Sequence, residues 1–266
     1  MIDYTLVVGV DRKHLEQLSH TWPTWKKHKP SLLSVPMVVF CDRHQVAVKD
    51  VRGVVDHPRL TVVEWPLSSF GERYDYRLPN DDKWSNSQRY KMLAGFVHVP
   101  PLTVMTRYWL KVDTDTVAIT SDDWIDPEWF DACPAIVSQP WGFTKPPDQM
   151  LRLDKWVRDN EDSLPMLSSR EPLNLCPKGG KDRLNHHRII SWCAFIHTKF
   201  TAKAAVWAAR TCGAGELPVP SQDGYLWYLA ERLGFQIVRA NMKHRGWQHW
   251  SAMRNVVERS REAMLQ

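Results

Sequence analysis

No run of about 18 apolar residues occurs in the 266-residue chain, so no segment is expected to cross a membrane as a helix. Cysteine is sparse and unpaired: Cys41, Cys133, Cys176, Cys193 and Cys212 are odd in number, widely spaced and without a Cys-x-x-Cys pair. That argues against a disulfide framework and a zinc site and for a reducing compartment, so a cytoplasmic location is expected. Met1-Ile2-Asp3-Tyr4 lacks a basic region and leads straight into an apolar run, and no secretory signal is expected. Internal repeats and low-complexity tracts are missing too.

Tryptophan is the residue in excess, with 14. Most of these rings are expected to pack the core. Trp141, Trp247 and Trp250 fall in loop-like sequence, where a flat apolar face suits a sugar or a base. Hydrophobic residues at 43% and charged residues at 24% match an ordinary globular chain with room for a sizeable core. The net charge of +5 mildly favours a polyanionic partner. Its excess is local: Lys26, Lys27, His28 and Lys29; then Arg170, Lys178, Lys181, Arg183 and Arg188; then Lys243, Arg245, Arg254, Arg259 and Arg261. Each run also reads as a solvated face.

The β-branched run Tyr4 to Val10 predicts a buried strand closed by Asp11, whose carboxylate suits a cap on a helix from Arg12 to Trp25. Further strands are predicted at Pro36 to Phe40 and Leu60 to Trp65. A helix then starts at Ser85 to Gln88 and is ended by Pro100-Pro101. Ala135 to Gln139, Ile189 to Phe200 and Phe235 to Arg239 read as strand regions. Helices are expected at Thr201 to Thr211, from a Ser221 cap to Leu233, and from about Ser251. Residues 140–188 are rich in Pro, Gly and charge, with a short helix expected at Asp148 to Val157 and a loop at Cys176 to Asp182. The order β-α-β-β-α-β predicts an α/β fold: a mixed, mostly parallel sheet with helices on both faces.

The stretch that organises this layout is Tyr108 to Ile119, YWLKVDTDTVAI. It begins as a buried strand and delivers two carboxylates, Asp113 and Asp115, one residue apart. In an extended chain alternate side chains share a face. Two acids side by side repel unless a cation sits between them, and a hard divalent ion such as Mg²⁺ or Mn²⁺ removes that cost. A polar turn between two strands is the plainer reading of the same tripeptide. In parallel sheets ligands gather beyond the carboxyl ends of strands, and Asp11, Asp42 and Asp113 each stand at such an end.

The pairing of SQRYKMLAGFV with RYWLKVDTDTVAI, within a layout running from Tyr4 to about Trp250, resembles nucleotide-sugar-dependent glycosyltransferases of the GT-A fold. The resemblance implies a single Rossmann-like domain over 1–266, with a donor-binding half at 1–120 and an acceptor-side half at 121–266. It implies that Asp113 and Asp115 bind Mn²⁺ or Mg²⁺ bridging the diphosphate of a nucleotide-sugar donor, most simply a UDP-sugar. SWCAFIHT (Ser191 to Thr198) resembles the segment beside the donor sugar. Asp223 matches an acid that starts a late helix and faces the acceptor, the expected general base if the reaction inverts the anomeric centre. Gln222 departs from the family pattern, where a second acid is common, and leaves inversion and retention both open. NMKHRGW supplies His244 as a third metal ligand, with His249 its competitor. Asp11 and Arg12 are candidates for the nucleobase and ribose, and Arg89 and Lys91 for the diphosphate.

A hydroxymethylated pyrimidine in DNA is the acceptor expected from charge and size, with a cell-surface glycan or small molecule as the alternative. Two readings from other classes remain. A haloacid-dehalogenase-like phosphohydrolase also uses strand-Asp-x-Asp, but on its first strand. A non-catalytic nucleic-acid-binding domain accounts for the basic runs and tryptophans, though not for carboxylates at strand ends.

Overall fold

A computed structural model describes residues 2–65, 86–121, 123–139, 141–142, 155, 188–213 and 222–266. The near-continuous apolar run β1 (Tyr4–Val10) lies between β2 (Met37–Asp42) and β4 (Tyr108–Val112), with β3 (Leu60–Trp65) outside β2. On the other side of β4 come β9 (Cys193–His197), β6 (Ile136–Ser138) and β10 (Ile237–Arg239), which complete a seven-stranded sheet. All neighbours are parallel except β9, which runs antiparallel to both β4 and β6. Two short ribbons stand apart: β5 (Thr116–Ala118) with β11 (Trp247–His249), and β7 (Trp141–Gly142) with β8 (Arg188–Ile189). The sheet is the mixed, mostly parallel one that the patterning predicts.

Alternation along the strands splits the core in two. Tyr4, Leu6, Val8 and Val10 face one layer with Tyr108, Leu110 and Val112. There they meet α1 (Arg12–His28) through Leu18, Trp22 and Trp25, and α6 (Met253–Leu265) lies against α1, where Lys27 Nζ donates to the Met264 carbonyl (2.7 Å). Val7, Trp109, Ala194 and Ile196 face the opposite layer. That layer is built by α3 (Asn86–Thr103), α4 (Thr198–Gly213) and α5 (Gln222–Arg232). Gly9 is required by contact: a Cβ there would collide with the ring of Phe40, its register partner on β2. That ring in turn meets Phe96 edge-on at 4.9 Å.

Two local features differ from the patterning. A short helix, α2 (Val48–Val54), separates β2 from β3, so these strands join by a regular crossover. Its β-branched content hides it, because Val favours strands when its neighbours are ignored. Pro100 and Pro101 do not end α3, which continues to Thr103. The last turn is held by Thr103 Oγ1 donating to the Val99 carbonyl (2.8 Å) and by Val104 N–H donating to that of Pro100 (2.8 Å). The calls at Asp148 to Val157 (Lys155 apart), Cys176 to Asp182 and Ser221 lie outside the described residues.

His197 at the end of β9 is buried, accepts the Lys199 N–H at Nδ1 (3.1 Å) and packs edge-on against Tyr108. Burial, then the charges of Arg107 and Lys199, lower its pKa to about 4. The folded state therefore disfavours the protonated ring. Above the unfolded value near 6.5 this has no effect, and stability is lost as pH falls from there towards 4, by roughly 3 kcal/mol. Urea unfolding at pH 7 and 4.5 should show the loss. His197→Asn, which keeps an acceptor but cannot titrate, should reduce it.

Candidate active site

The Asp-x-Asp tripeptide is a turn, the plainer of its two readings, and the turn is what aims the carboxylates. Asp113 N–H donates to the Trp192 carbonyl (2.8 Å) as β4 ends, and Thr116 N–H donates back to the Asp113 carbonyl (3.1 Å). The middle residue is tucked inward. Thr114 is buried, its hydroxyl donates to Gln17 Oε1 (2.8 Å), and its carbonyl accepts from Thr21 Oγ1 (2.9 Å), both on α1. With Thr114 anchored beneath, Asp113 and Asp115 keep partly exposed carboxylates, 30% and 18% accessible. They converge through this turn and not through strand alternation.

β5 leaves the turn and pairs antiparallel with β11, so Thr116 stands opposite His249. Trp250 N–H donates to the Asp115 carbonyl (3.0 Å) and locks that register. Gly246, with φ 79°, turns the chain into β11, and a Cβ there would strike the Thr120 hydroxyl. His249 Nε2 lies 3.2 Å from Asp115 Oδ1, and its ring stacks on Trp192 at 6.1 Å and 6°. Burial opposes the charged imidazole, but the hydrogen bond and the charges of Asp115 and Asp113 outweigh it and raise the His249 pKa.

One ligand atom each from Asp113, Asp115 and His249 lies within 4.8 Å of the others. Two carboxylates and one imidazole on an open rim fit a divalent ion. The nitrogen suits Mn²⁺ better than Mg²⁺, which prefers an all-oxygen shell. The expectation for His244 is revised. It is exposed on the 3-10 turn Met242–Arg245, where its backbone N–H donates to Asn241 Oδ1, and it lies outside this cluster.

Beneath the turn is a residue that sequence reasoning missed. Lys111 on β4 has no exposed surface, and its Nζ reaches Asp113 Oδ1 (2.5 Å) and Asp223 Oδ1 (3.3 Å). Trp109 and Lys111 share a face of β4, and α5, packed on that layer, brings Asp223 from its first turn to the ammonium. Asp223 is 16% accessible, and its Oδ2 accepts from Gln222 Nε2 (3.2 Å). Burial, reinforced by the charge of Asp113 and opposed by Lys111, raises its pKa to about 7. The signal was a lone ammonium inside the apolar run YWLKV, which a buried strand tolerates only with partners.

The remaining candidates are dispersed. Asp11 caps α1, accepting from His14 N–H (2.9 Å) and pairing with the His14 ring (2.7 Å). Arg12 lines a groove of about 390 Å³ between α1 and α2, with Leu15, Gln45 and Asp50. Asp42 closes its own turn, accepting from His44 N–H and Gln45 Nε2. Arg89 and Lys91 lie on α3, but their side chains are outside the described residues, as is that of Trp141. Trp247 is not presented to a ligand: it is wholly buried against Trp25 and Trp124. Trp250 stays partly exposed beside the turn, with the Arg259 guanidinium 5.0 Å from its ring.

Neither a family model nor a curated protein matches the sequence. Solved structures do. Core-mannan synthase A from Aspergillus fumigatus, in an Mn/GDP form, aligns over 90% of this chain and 71% of its own, with TM-score 0.53 and 14% identity. The mannosyltransferase Ktr4p from S. cerevisiae, in complex with GDP, aligns over 93% and 71%, with TM-score 0.57 and 12% identity. The galactosyltransferase LgtC, with donor and acceptor sugar analogs, aligns over 97% and 95%, with TM-score 0.53 and 10% identity.

The fold is GT-A. In this GT-A chain the seven-stranded sheet places the Asp113 turn at the carboxyl end of β4, beside β9, which runs antiparallel to it. The architecture does not select the reaction. 4-Diphosphocytidyl-2C-methyl-D-erythritol synthase from Anaerococcus prevotii also aligns, over 99% of each chain, with TM-score 0.51 and 9% identity. The chemistry has to be argued from the site.

Proposed function

We propose that this protein is a metal-dependent glycosyltransferase that moves a sugar from a nucleoside-diphosphate donor to a hydroxyl acceptor. One observation carries the reading: Asp113, Asp115 and His249 converge at the carboxyl end of β4 in a GT-A sheet. These three side chains would hold a Mn²⁺ or Mg²⁺ ion, which when bound offsets the charge that grows on a departing nucleoside diphosphate. Asp223 is the general base in an inverting reaction, or orients acceptor and sugar in a retaining one. A carboxylate poised near neutrality suits proton transfer. Asp11 and Arg12 are assigned to the nucleobase side, and Arg89 and Lys91 to the diphosphate. The first donors to test are UDP-sugars, with GDP-sugars beside them because two structural neighbours were solved with GDP. None of the neighbours described above supports a hydroxymethylated pyrimidine in DNA as acceptor. Most of the insertion that suggested it lies outside the described residues, so the acceptor is proposed only as a hydroxyl.

Product analysis separates the rival reactions. With a nucleotide-sugar panel and Mn²⁺, release of the nucleoside diphosphate marks sugar transfer. Nucleoside triphosphate and sugar 1-phosphate formed when pyrophosphate is added mark attack at phosphorus, as in a nucleotidyltransferase run in reverse, and orthophosphate released from added phosphomonoesters marks the phosphohydrolase reading. The same assay tests the ligand assignment. His249→Ala should raise the Mn²⁺ needed for half-maximal turnover by about tenfold or more. His244→Ala should change it less than about twofold.

A further inference from the structure

Lys111 is a side chain of the site that the proposed reaction leaves without a task. It is wholly buried, and it lies between Asp113, on the open rim, and Asp223 at the start of α5. Its Nζ is 5.4 Å from the centre of the Phe96 ring, so its neighbourhood is the apolar core on one side and two carboxylates on the other. A buried ammonium is held by such partners or not at all. We infer that Lys111 is a resident cation of the metal site, a positioning residue that engages one oxygen of Asp113 and lowers the affinity of the protein alone for a divalent ion. The inference rests on the proposal that Asp113, Asp115 and His249 bind that ion.

Two consequences follow from the geometry. With Oδ1 engaged by Lys111 at 2.5 Å, Asp113 has its other oxygen left free of the ammonium, and that oxygen would be the one to hold an ion. The ammonium also repels a second cation at close range, where little water screens it. Asp223 offsets that repulsion, since the same Nζ lies 3.3 Å from its Oδ1. Lys111 therefore couples Asp113, one of the carboxylates that would hold the ion, to the proposed base.

The test is direct Mn²⁺ binding without nucleotide, read from the EPR signal of the free aquo ion. It compares the wild type, Lys111→Met, Asp223→Asn and the double variant. Methionine keeps length and volume in an apolar pocket. Lys111→Met should bind Mn²⁺ tighter by about tenfold or more, Asp223→Asn weaker by a similar factor, and the double variant should return to within about threefold of wild type. If Lys111→Met alone does not fold, the same contrast is read in the Asp223→Asn background, where removing the lysine should again tighten binding. Mn²⁺ bound by the wild type but held no more tightly after removal of Lys111 overturns this inference and leaves the metal site standing. Absence of binding in all four proteins overturns the metal site and the inference together.

Discussion

Asp115→Ala is expected to lower metal-dependent turnover by about a thousandfold, with a melting temperature within a few degrees of wild type. The two effects separate because Asp115 serves the turn through its backbone and the proposed ion through its side chain. Its carbonyl accepts from Trp250 N–H, and alanine preserves that bond. The turn itself is pinned by Thr114 to Gln17 and Thr21 and by the Thr116 to Asp113 bond, none of which involves the Asp115 carboxylate. What the carboxylate does hold is His249, at 3.2 Å, so the substitution removes one ligand and frees another. Asp113→Ala is a less clean probe, since it also strips the buried Lys111 of its nearest counter-charge. Turnover of Asp115→Ala close to wild type at any Mn²⁺ concentration would exclude this carboxylate from the chemistry.

The largest effect on stability is expected at Trp247. Its ring has no exposed surface and meets Trp25 edge-on at 5.9 Å and Trp124 edge-on at 5.4 Å, with the Lys29 ammonium 5.8 Å from its centroid. Removing a core tryptophan leaves a cavity that rigid neighbours cannot fill, at a cost of about 3–5 kcal/mol. The loss should reach the site as well. β11 has only three residues and pairs with β5, so its packing through Trp247 helps set the place of His249. Trp247→Ala should therefore unfold at lower urea with an unchanged slope, and should also bind Mn²⁺ more weakly. Trp247→Phe keeps part of the edge-on contact and should cost less. A loss below about 1 kcal/mol in the alanine variant would mean that the three-tryptophan cluster does not anchor this ribbon.

Much of this arrangement is legible from local pattern. The apolar run Tyr4 to Val10 has the bounds of β1, because a strand buried on both faces needs no alternation to announce it, and the predicted strand Leu60 to Trp65 has those of β3, an edge strand whose exposed Thr61 and Glu64 flank half-buried Val62 and Val63. The Asp-x-Asp signal leads to the candidate site because two carboxylates one residue apart repel unless something between them offsets the charge. What could not be read are facts of tertiary register. His244 and His249 are equivalent in a linear chain, and only the pairing of Thr116 with His249 separates them. Lys111 reads as an anomaly in an apolar strand, and its partner Asp223 arrives from a helix more than a hundred residues away. Trp247 reads as a loop ring because the three-residue strand that buries it exists only through β5.

The central claim is that a divalent ion and a nucleoside diphosphate share this site. Thermal unfolding with UDP-, GDP- and TDP-sugars, each with and without Mn²⁺, tests it most directly, since a ligand that binds only the folded state raises the midpoint by mass action. The account predicts a rise for at least one nucleotide sugar that requires Mn²⁺ and disappears in Asp115→Ala. A rise of equal size without metal, or one that survives in Asp115→Ala, would contradict it, and so would no rise with any donor.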